Sequence, residues 1–325
     1  MLTSCDRPER AGVGFTGNLL GFTVMRQRRA AGHAGGVTNF EPEEHTVSTI
    51  TVGEENSAPI DLYYEDQGSG RPVVLLAGWP FDARSWEPQL HPLLDAGYRV
   101  IAYDRRGFGR SSAPITGYDF DTLSADLDVV LRTLDLRDAT IVGFSLGTGE
   151  VARYIGRFGT ERLASAVLIE SLTPTFALSD ENPKGVDAAG VAGVQQAILD
   201  DRFAWLTGMM GNFLNLDDYQ GTLVSEDTVR AMWSAGAAAS PYATWACPQT
   251  WLEDFHADLE RFDVPALIIH GTADRILSID GQGRRAHEAL PAARYIEIEG
   301  GPHINPVTHT DEVNRELLRF LADPS

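Results

Sequence analysis

The chain has 325 residues, 43% of them hydrophobic and 22% charged, with a net charge of -20 and an isoelectric point near 4.7. That size and balance suit a globular protein with one large core, and so acidic a chain excludes nucleic acid and anionic membrane surfaces as favoured partners. Two cysteines, Cys5 and Cys247, make no disulfide framework and point to a reducing, cytoplasmic setting. No apolar run approaches the roughly 18 residues of a membrane span.

The first 46 residues differ from the rest. Arg7, Arg10, Arg26, Arg28 and Arg29 balance Asp6, Glu9, Glu41, Glu43 and Glu44, so the remaining residues carry the whole -20. The stretch Gly14–Gly21 is too short and glycine-broken for a secretory core, and basic residues follow it instead of preceding it. Residues 1–46 are therefore expected to be a disordered extension, with regular structure beginning near Val47-Ser48-Thr49-Ile50.

From there strands and helices alternate. Ile60–Glu65 alternates as a strand and ends at the turn signal Gly68-Ser69-Gly70. Val73–Leu76 is a buried strand, followed by a short helix over Ser85–Leu94 and a strand over Tyr98–Tyr103. Leu123, Leu127, Val130, Leu131 and Leu134 form a helical stripe capped by Asp121 or Thr122. Strand Ala139–Val142 leads to a helix marked by Val151, Tyr154, Ile155 and Phe158. Ala166–Ile169, Ala266–Ile269 and Arg294–Ile298 are further strands. Helices are expected near Gly283–Leu290 and around Val313, Leu317, Leu318 and Leu321. Apolar strands alternating with amphipathic helices predict a parallel sheet covered on both faces.

Residues 172–257 break that rhythm. Trp205, Met209, Met210, Phe213, Trp233, Trp245 and Trp251 crowd there without a convincing strand. This predicts a helical cap over 172–257, inserted into a core formed by 47–171 and 258–325. Most of these side chains are expected to pack the cap onto the sheet, and a minority to face a ligand cavity.

Between the Ala139–Val142 strand and its following helix lies Gly143-Phe144-Ser145-Leu146-Gly147, a G-x-S-x-G sequence. A serine at so sharp a turn projects its hydroxyl clear of the sheet, and the next backbone N–H can face an oxyanion. A nucleophilic serine needs a base and a group that orients the base, in the chain order serine, acid, histidine. His303, in the loop beyond strand Arg294–Ile298, is the expected base; His309 falls at the start of the last helix, where a surface or capping role is expected. Asp274, three residues past a strand-ending glycine, is the expected acid. Glu170 is its rival, and Asp104 stands in the wrong chain order. The second oxyanion donor is expected at Trp79, in Ala77-Gly78-Trp79-Pro80, paired with Leu146. Pro80 stiffens that loop by fixing its own φ. Pro80, Phe144, Phe176, Trp205 and Ile304 are the candidate pocket residues. No His, Cys or carboxylate set has metal-ligand spacing.

Asp104-Arg105-Arg106-Gly107-Phe108-Gly109-Arg110-Ser111-Ser112 resembles the D-R-R-G-x-G-x-S-S segment of α/β-hydrolases. Gly143–Tyr154, Ser240-Pro241-Tyr242-Ala243-Thr244, Trp251–Phe255 and His270–Leu277 look like the cofactor-free (non-haem) haloperoxidase and perhydrolase branch. The likeness covers roughly residues 47–323. It implies an α/β-hydrolase fold with a mostly parallel eight-stranded sheet, a Ser-Asp-His triad, no metal or haem, esterase and perhydrolase activity, and a homo-oligomer. Two positions depart from that pattern. Ala77 stands where a loop-bracing histidine is usual, which questions the rigidity of the loop. Ile304 follows His303 where glycine is frequent, and is expected to narrow the pocket. The reading is a serine hydrolase of small carboxylic esters with peracid-forming activity. A lactonase or γ-lactamase on the same residues, and a non-catalytic hydrolase-fold binding protein, are the alternatives.

Overall fold

Strands form where the apolar runs are longest. The structure, a computed structural model, describes residues 48–324; the extension expected over residues 1–46 lies outside the described residues. Eight strands, β1 (Thr49–Glu55), β2 (Ala58–Gln67), β3 (Pro72–Leu76), β4 (Arg99–Tyr103), β5 (Ala139–Phe144), β6 (Leu163–Ile169), β7 (Ala266–Gly271) and β8 (Arg294–Ile298), make one sheet in the order β1-β2-β4-β3-β5-β6-β7-β8. The pairings of β1 with β2 and of β2 with β4 are antiparallel, and all others are parallel. Every residue of β5 is buried, whereas the edge strand β1 mixes buried and exposed positions. That contrast follows from covering both faces at the centre of a parallel sheet but not at its antiparallel edge.

Helices α1 (Glu87–Asp95), α2 (Phe120–Thr133) and α3 (Leu146–Phe158) connect the first strands. The cap of α2 is Asp119, not Asp121 or Thr122. Buried Phe120 draws the first turn earlier, and the Asp119 side chain accepts from the Thr122 N–H at 2.8 Å.

Between β6 and β7 the chain forms α4 (Ala188–Phe213), α5 (Leu216–Tyr219), α6 (Glu226–Ala238), α7 (Pro241–Ala246) and α8 (His256–Leu259), with a 3-10 helix over Cys247–Leu252. A lone antiparallel bridge, Thr175 to Asp254, ties the entry of this segment to its exit. Phe255 packs its ring 5.0 Å from that of Phe120. Arg153 of α3 reaches Asp121, Glu253 and Asp258 together. Helix α4 is broken at Asp201 (φ -159°, ψ 92°), whose side chain caps the N–H groups of Phe203 and Ala204. After β7 come α9 (Gly283–Ala289), α10 (Asn305–Thr308) and α11 (Thr310–Ala322), the last packed on α1. No helix among the described residues is long and apolar enough to cross a membrane.

Candidate active site

Ser145 stands at the turn from β5 into α3 with φ 52° and ψ -116°. A non-glycine residue holds such a backbone only where its surroundings impose it. Here the Ser145 N–H donates to Ile169 O at 2.9 Å, and the Ser145 carbonyl accepts from Thr148 N and Thr148 Oγ1 at 2.9 and 2.6 Å. Gly147 lets α3 touch β3, since a Cβ there would lie 2.5 Å from Leu76 O.

His303 meets Ser145 from the loop after β8. Its Nε2 lies 2.9 Å from Ser145 Oγ, and its Nδ1 lies 2.8 Å from Asp274 Oδ2. Asp274 Oδ1 accepts from the Ile276 and Leu277 N–H groups at 2.7 and 2.9 Å, so both of its oxygens are used. Burial alone would raise the Asp274 carboxyl. The neighbouring imidazole of His303, then Glu170, outweigh it and hold the group low, at about 2. The His303 ring is wedged between Phe144 and Phe213, with centroids 5.5 and 4.7 Å away.

The loop Ala77–Pro80 passes over the serine. A Cβ on Gly78 would come within 3.1 Å of Ser145 Cβ and 2.7 Å of the Phe144 ring. The Leu146 N–H opens α3 and has no partner within that helix. The peptide between Trp79 and Pro80 is cis. Ala77 departs from the bracing histidine, yet its carbonyl is held by Arg105 Nη2 at 2.6 Å. Arg105 is itself ion-paired to Glu150 on α3, and Tyr103 donates to the same carboxylate at 3.0 Å. This buried brace joins the loop, β4 and the serine helix. It escaped the sequence reading, although an arginine and a glutamate inside otherwise buried segments were the available signal.

The other candidates fall elsewhere. Glu170 does not bond His303; its Oε1 accepts from the Gly271 N–H at 2.8 Å and from Asn305 Nδ2. Asp104 fixes loops by accepting from Ala83 N and Arg110 N at 2.9 and 2.7 Å. His309 bonds Thr308 Oγ1 and packs on Tyr219.

A cavity of about 520 Å³ opens above Ser145 and His303. Phe176 and Trp205 line it, as expected, but Pro80, Phe144 and Ile304 do not. Phe144 lies beneath, against Trp86 and His303. Pro80 is buried near α6, within 3.3 Å of where a Cβ on Gly236 would stand. Ile304 turns inward with 1% of its surface exposed, because its N–H is tied to Phe213 O at 3.0 Å, so it does not narrow the pocket. Of the seven crowded cap side chains, four (Trp205, Met209, Phe213 and Trp251) face the cavity, more than the minority expected. Trp79 joins them, with Trp205 and Trp251 each 5.3 Å from its ring. The wall is apolar apart from Asn212 and from Arg275, which is paired to Asp217 and Asp218.

Among the described residues, possible metal donors converge at Glu170, Asp274 and His303, whose atoms lie within 4.8 Å of one another. His303 Nδ1 is already committed to Asp274 and both Asp274 oxygens accept hydrogen bonds, so the group is a closed hydrogen-bonded cluster.

Residues 71–310 match the sequence family described as the alpha/beta hydrolase fold. The chain is 39% identical over 265 residues to non-heme chloroperoxidase CPO-A1 of Kitasatospora aureofaciens, covering 81% of this chain and 96% of that one. It is 31% identical over 268 residues to the bifunctional esterase/perhydrolase DCH of Acinetobacter calcoaceticus, covering 81% and 96%. The crystal structure of a bromoperoxidase from Bacillus anthracis superposes with a TM-score of 0.81 at 43% identity, covering 85% of this chain and 99% of that one.

Proposed function

The chain belongs to the alpha/beta hydrolase fold family, in its non-haem haloperoxidase branch, and on that premise we propose that it is a serine hydrolase of small carboxylic esters that also forms peracids. The observation that carries the reading is the unbroken hydrogen-bond chain from Ser145 Oγ through His303 to Asp274.

In this reading His303 Nε2 takes the hydroxyl proton as Ser145 Oγ attacks the carbonyl carbon. Asp274 holds the Nδ1–H, fixing the tautomer and stabilising the imidazolium. The negative oxygen of the tetrahedral intermediate lies against the Trp79 and Leu146 N–H groups. His303 then protonates the departing oxygen, which leaves as an alcohol from an ester or as water from a carboxylic acid such as acetic acid, and an acyl-serine remains. Water attacking that ester releases the acid. Hydrogen peroxide attacking in its place releases a peracid and restores the serine hydroxyl. The peracid oxidises bromide or chloride in solution, so no halide site is required. The name of the Acinetobacter relative, an esterase and perhydrolase in one protein, supports pairing the two activities. The apolar cavity suits an uncharged acyl or aryl group.

Two measurements test this. Turnover of p-nitrophenyl esters should fall by at least about 10³-fold in Ser145→Ala with the fold intact, because the oxyanion donors and binding alone leave only a residual rate. Bromination of a phenol dye with peroxide and bromide should need acetate and vanish in Ser145→Ala. Equal bromination in acetate and in carboxylate-free buffer would overturn the peracid route, and an active Ser145→Ala would overturn the nucleophile.

A further inference from the structure

Glu170 is a carboxyl that the reaction above does not use. It follows β6 directly, with φ 49°, and is completely buried. Its Oε1 accepts from Gly271 N, at the root of the Asp274 loop, and from Asn305 Nδ2, two residues beyond His303. One oxygen thus ties together the two loops that carry the acid and the base.

The other oxygen is the informative one. Glu170 Oε2 is buried and has no hydrogen-bond donor. The nearest nitrogen, His270 Nε2, lies 3.1 Å away, but its proton is given to Leu277 O at 2.7 Å. Burial also keeps His270 neutral, so it lends Glu170 no compensating charge. The remaining neighbour is Asp274, with a carboxyl oxygen within 4.8 Å of one of Glu170. Two buried carboxylates this close without a cation between them cannot both be ionised. Asp274 keeps the negative charge, because two backbone N–H groups and His303 donate to it. The proton therefore belongs on Glu170. Burial first, and the Asp274 charge second, push the Glu170 carboxyl well above the usual range.

Building on the Ser145-His303-Asp274 reading, we propose that Glu170 is a positioning residue that keeps its proton and donates it as a hydrogen bond to Asp274, fixing the carboxylate that orients His303. The proton gives Glu170 Oε2, buried and otherwise without a donor, a place in the hydrogen-bond network. It also explains how a second acid sits beside the first without expelling it.

The proton is read directly by infrared spectroscopy of protein labelled with ¹³C at glutamate carboxyls. At neutral pH the full chain should show a protonated-acid stretch that disappears in Glu170→Gln. Carboxylate bands alone would overturn the proposal, whatever the enzyme's activity. Kinetics supply the second arm. In Glu170→Gln the amide oxygen still accepts from Gly271 and Asn305 while the amide nitrogen donates to Asp274, so kcat on an ester should fall only about threefold. In Glu170→Leu, which keeps bulk but no donor, kcat should fall about 10–10²-fold with KM unchanged, the size expected for a hydrogen bond to a charged group. A folded Glu170→Gln as damaged as Glu170→Leu would mean that an ionised Glu170 is needed, and an undamaged Glu170→Leu would mean that it positions nothing. Should Glu170→Leu not fold, the infrared band decides. Activity surviving in Ser145→Ala would defeat the acyl-enzyme reading while leaving the band, and the proton on Glu170, in place.

Discussion

The glycines around the serine and three glycines of α4 live in opposite surroundings. At Gly78, Gly143 and Gly147 an added Cβ would come within 2.5–2.7 Å of existing atoms. At Gly193, Gly208 and Gly211 of α4 it would meet nothing within 4 Å. The proposed machinery is packed to contact, and Gly208, on the wall of the cavity, has room beside it. Rigidity is concentrated where a reacting atom must be held to a fraction of an ångström, and slack is left where different substrates must fit.

Substitutions at the two kinds of glycine test that difference most directly. Gly147→Ala must push α3 off the Leu76 carbonyl, a backbone atom that cannot swing aside. Ester turnover should fall at least about 10²-fold, since a shift near 1 Å costs that much, with a loss of about 1–3 kcal/mol in stability by denaturant melts. A near-normal rate would show that the elbow is not tight.

The packed side also depends on buried charge. Arg105→Met strands the Glu150 carboxylate and releases the Ala77 carbonyl. Stability should drop by about 3–5 kcal/mol, the cost of a buried ion left alone, and Glu150→Gln added to it should recover much of that loss. An additive double variant would show that the two residues are not coupled.

Acid should loosen the same side. The Asp274 carboxyl is depressed in the folded state, to about 2, against an unfolded value of about 3.9. Its contribution is therefore fully present above pH ~4 and lost as pH falls from there to about 2. The stability difference between the wild type and Asp274→Asn, followed by denaturant melts across that range, should shrink towards acid; a constant difference would mean that Asp274 is not held ionised. On the slack side the effect reverses sign. Gly208→Ala lies in a helix and projects into open space, so it should stabilise by about 0.5–1 kcal/mol and slow only the bulkiest esters. A loss of stability there would refute the roominess of the wall.

How far the sequence alone could be read follows the same division. Buried parallel strands are continuous apolar runs, so β3, β5, β6 and β7 are visible as such. The glycines flanking Ser145 are the local record of a close approach, and Asp274 and His303 follow their strands at short range. Nothing local marks which side chains of the cap face inward. Trp233 and Trp251 look alike in sequence, yet Trp233 packs on Phe203 and donates to Thr207 Oγ1, whereas Trp251 lies on the cavity beside Trp79. Ile304 was expected to narrow the pocket because it adjoins His303; the bond from its N–H to Phe213, contributed by a helix about 90 residues earlier, turns it away. The partners of Glu170 come from β7, the Asp274 loop and α10, and no spacing rule joins them.

The break in α4 has a consequence for how such a protein diversifies. The segment 202–213 begins with its own cap at Asp201 and places Ala204, Trp205, Gly208, Met209, Asn212 and Phe213 on the cavity. It is a cassette of three turns that can be exchanged, by mutation or recombination, without touching the strand that bears Ser145. Its last residue sets the limit, because the Phe213 ring lies on His303 and its carbonyl holds Ile304. New substrate preferences are thus expected to accumulate towards Asp201 and to thin out towards Phe213, where a change in taste becomes a change in chemistry.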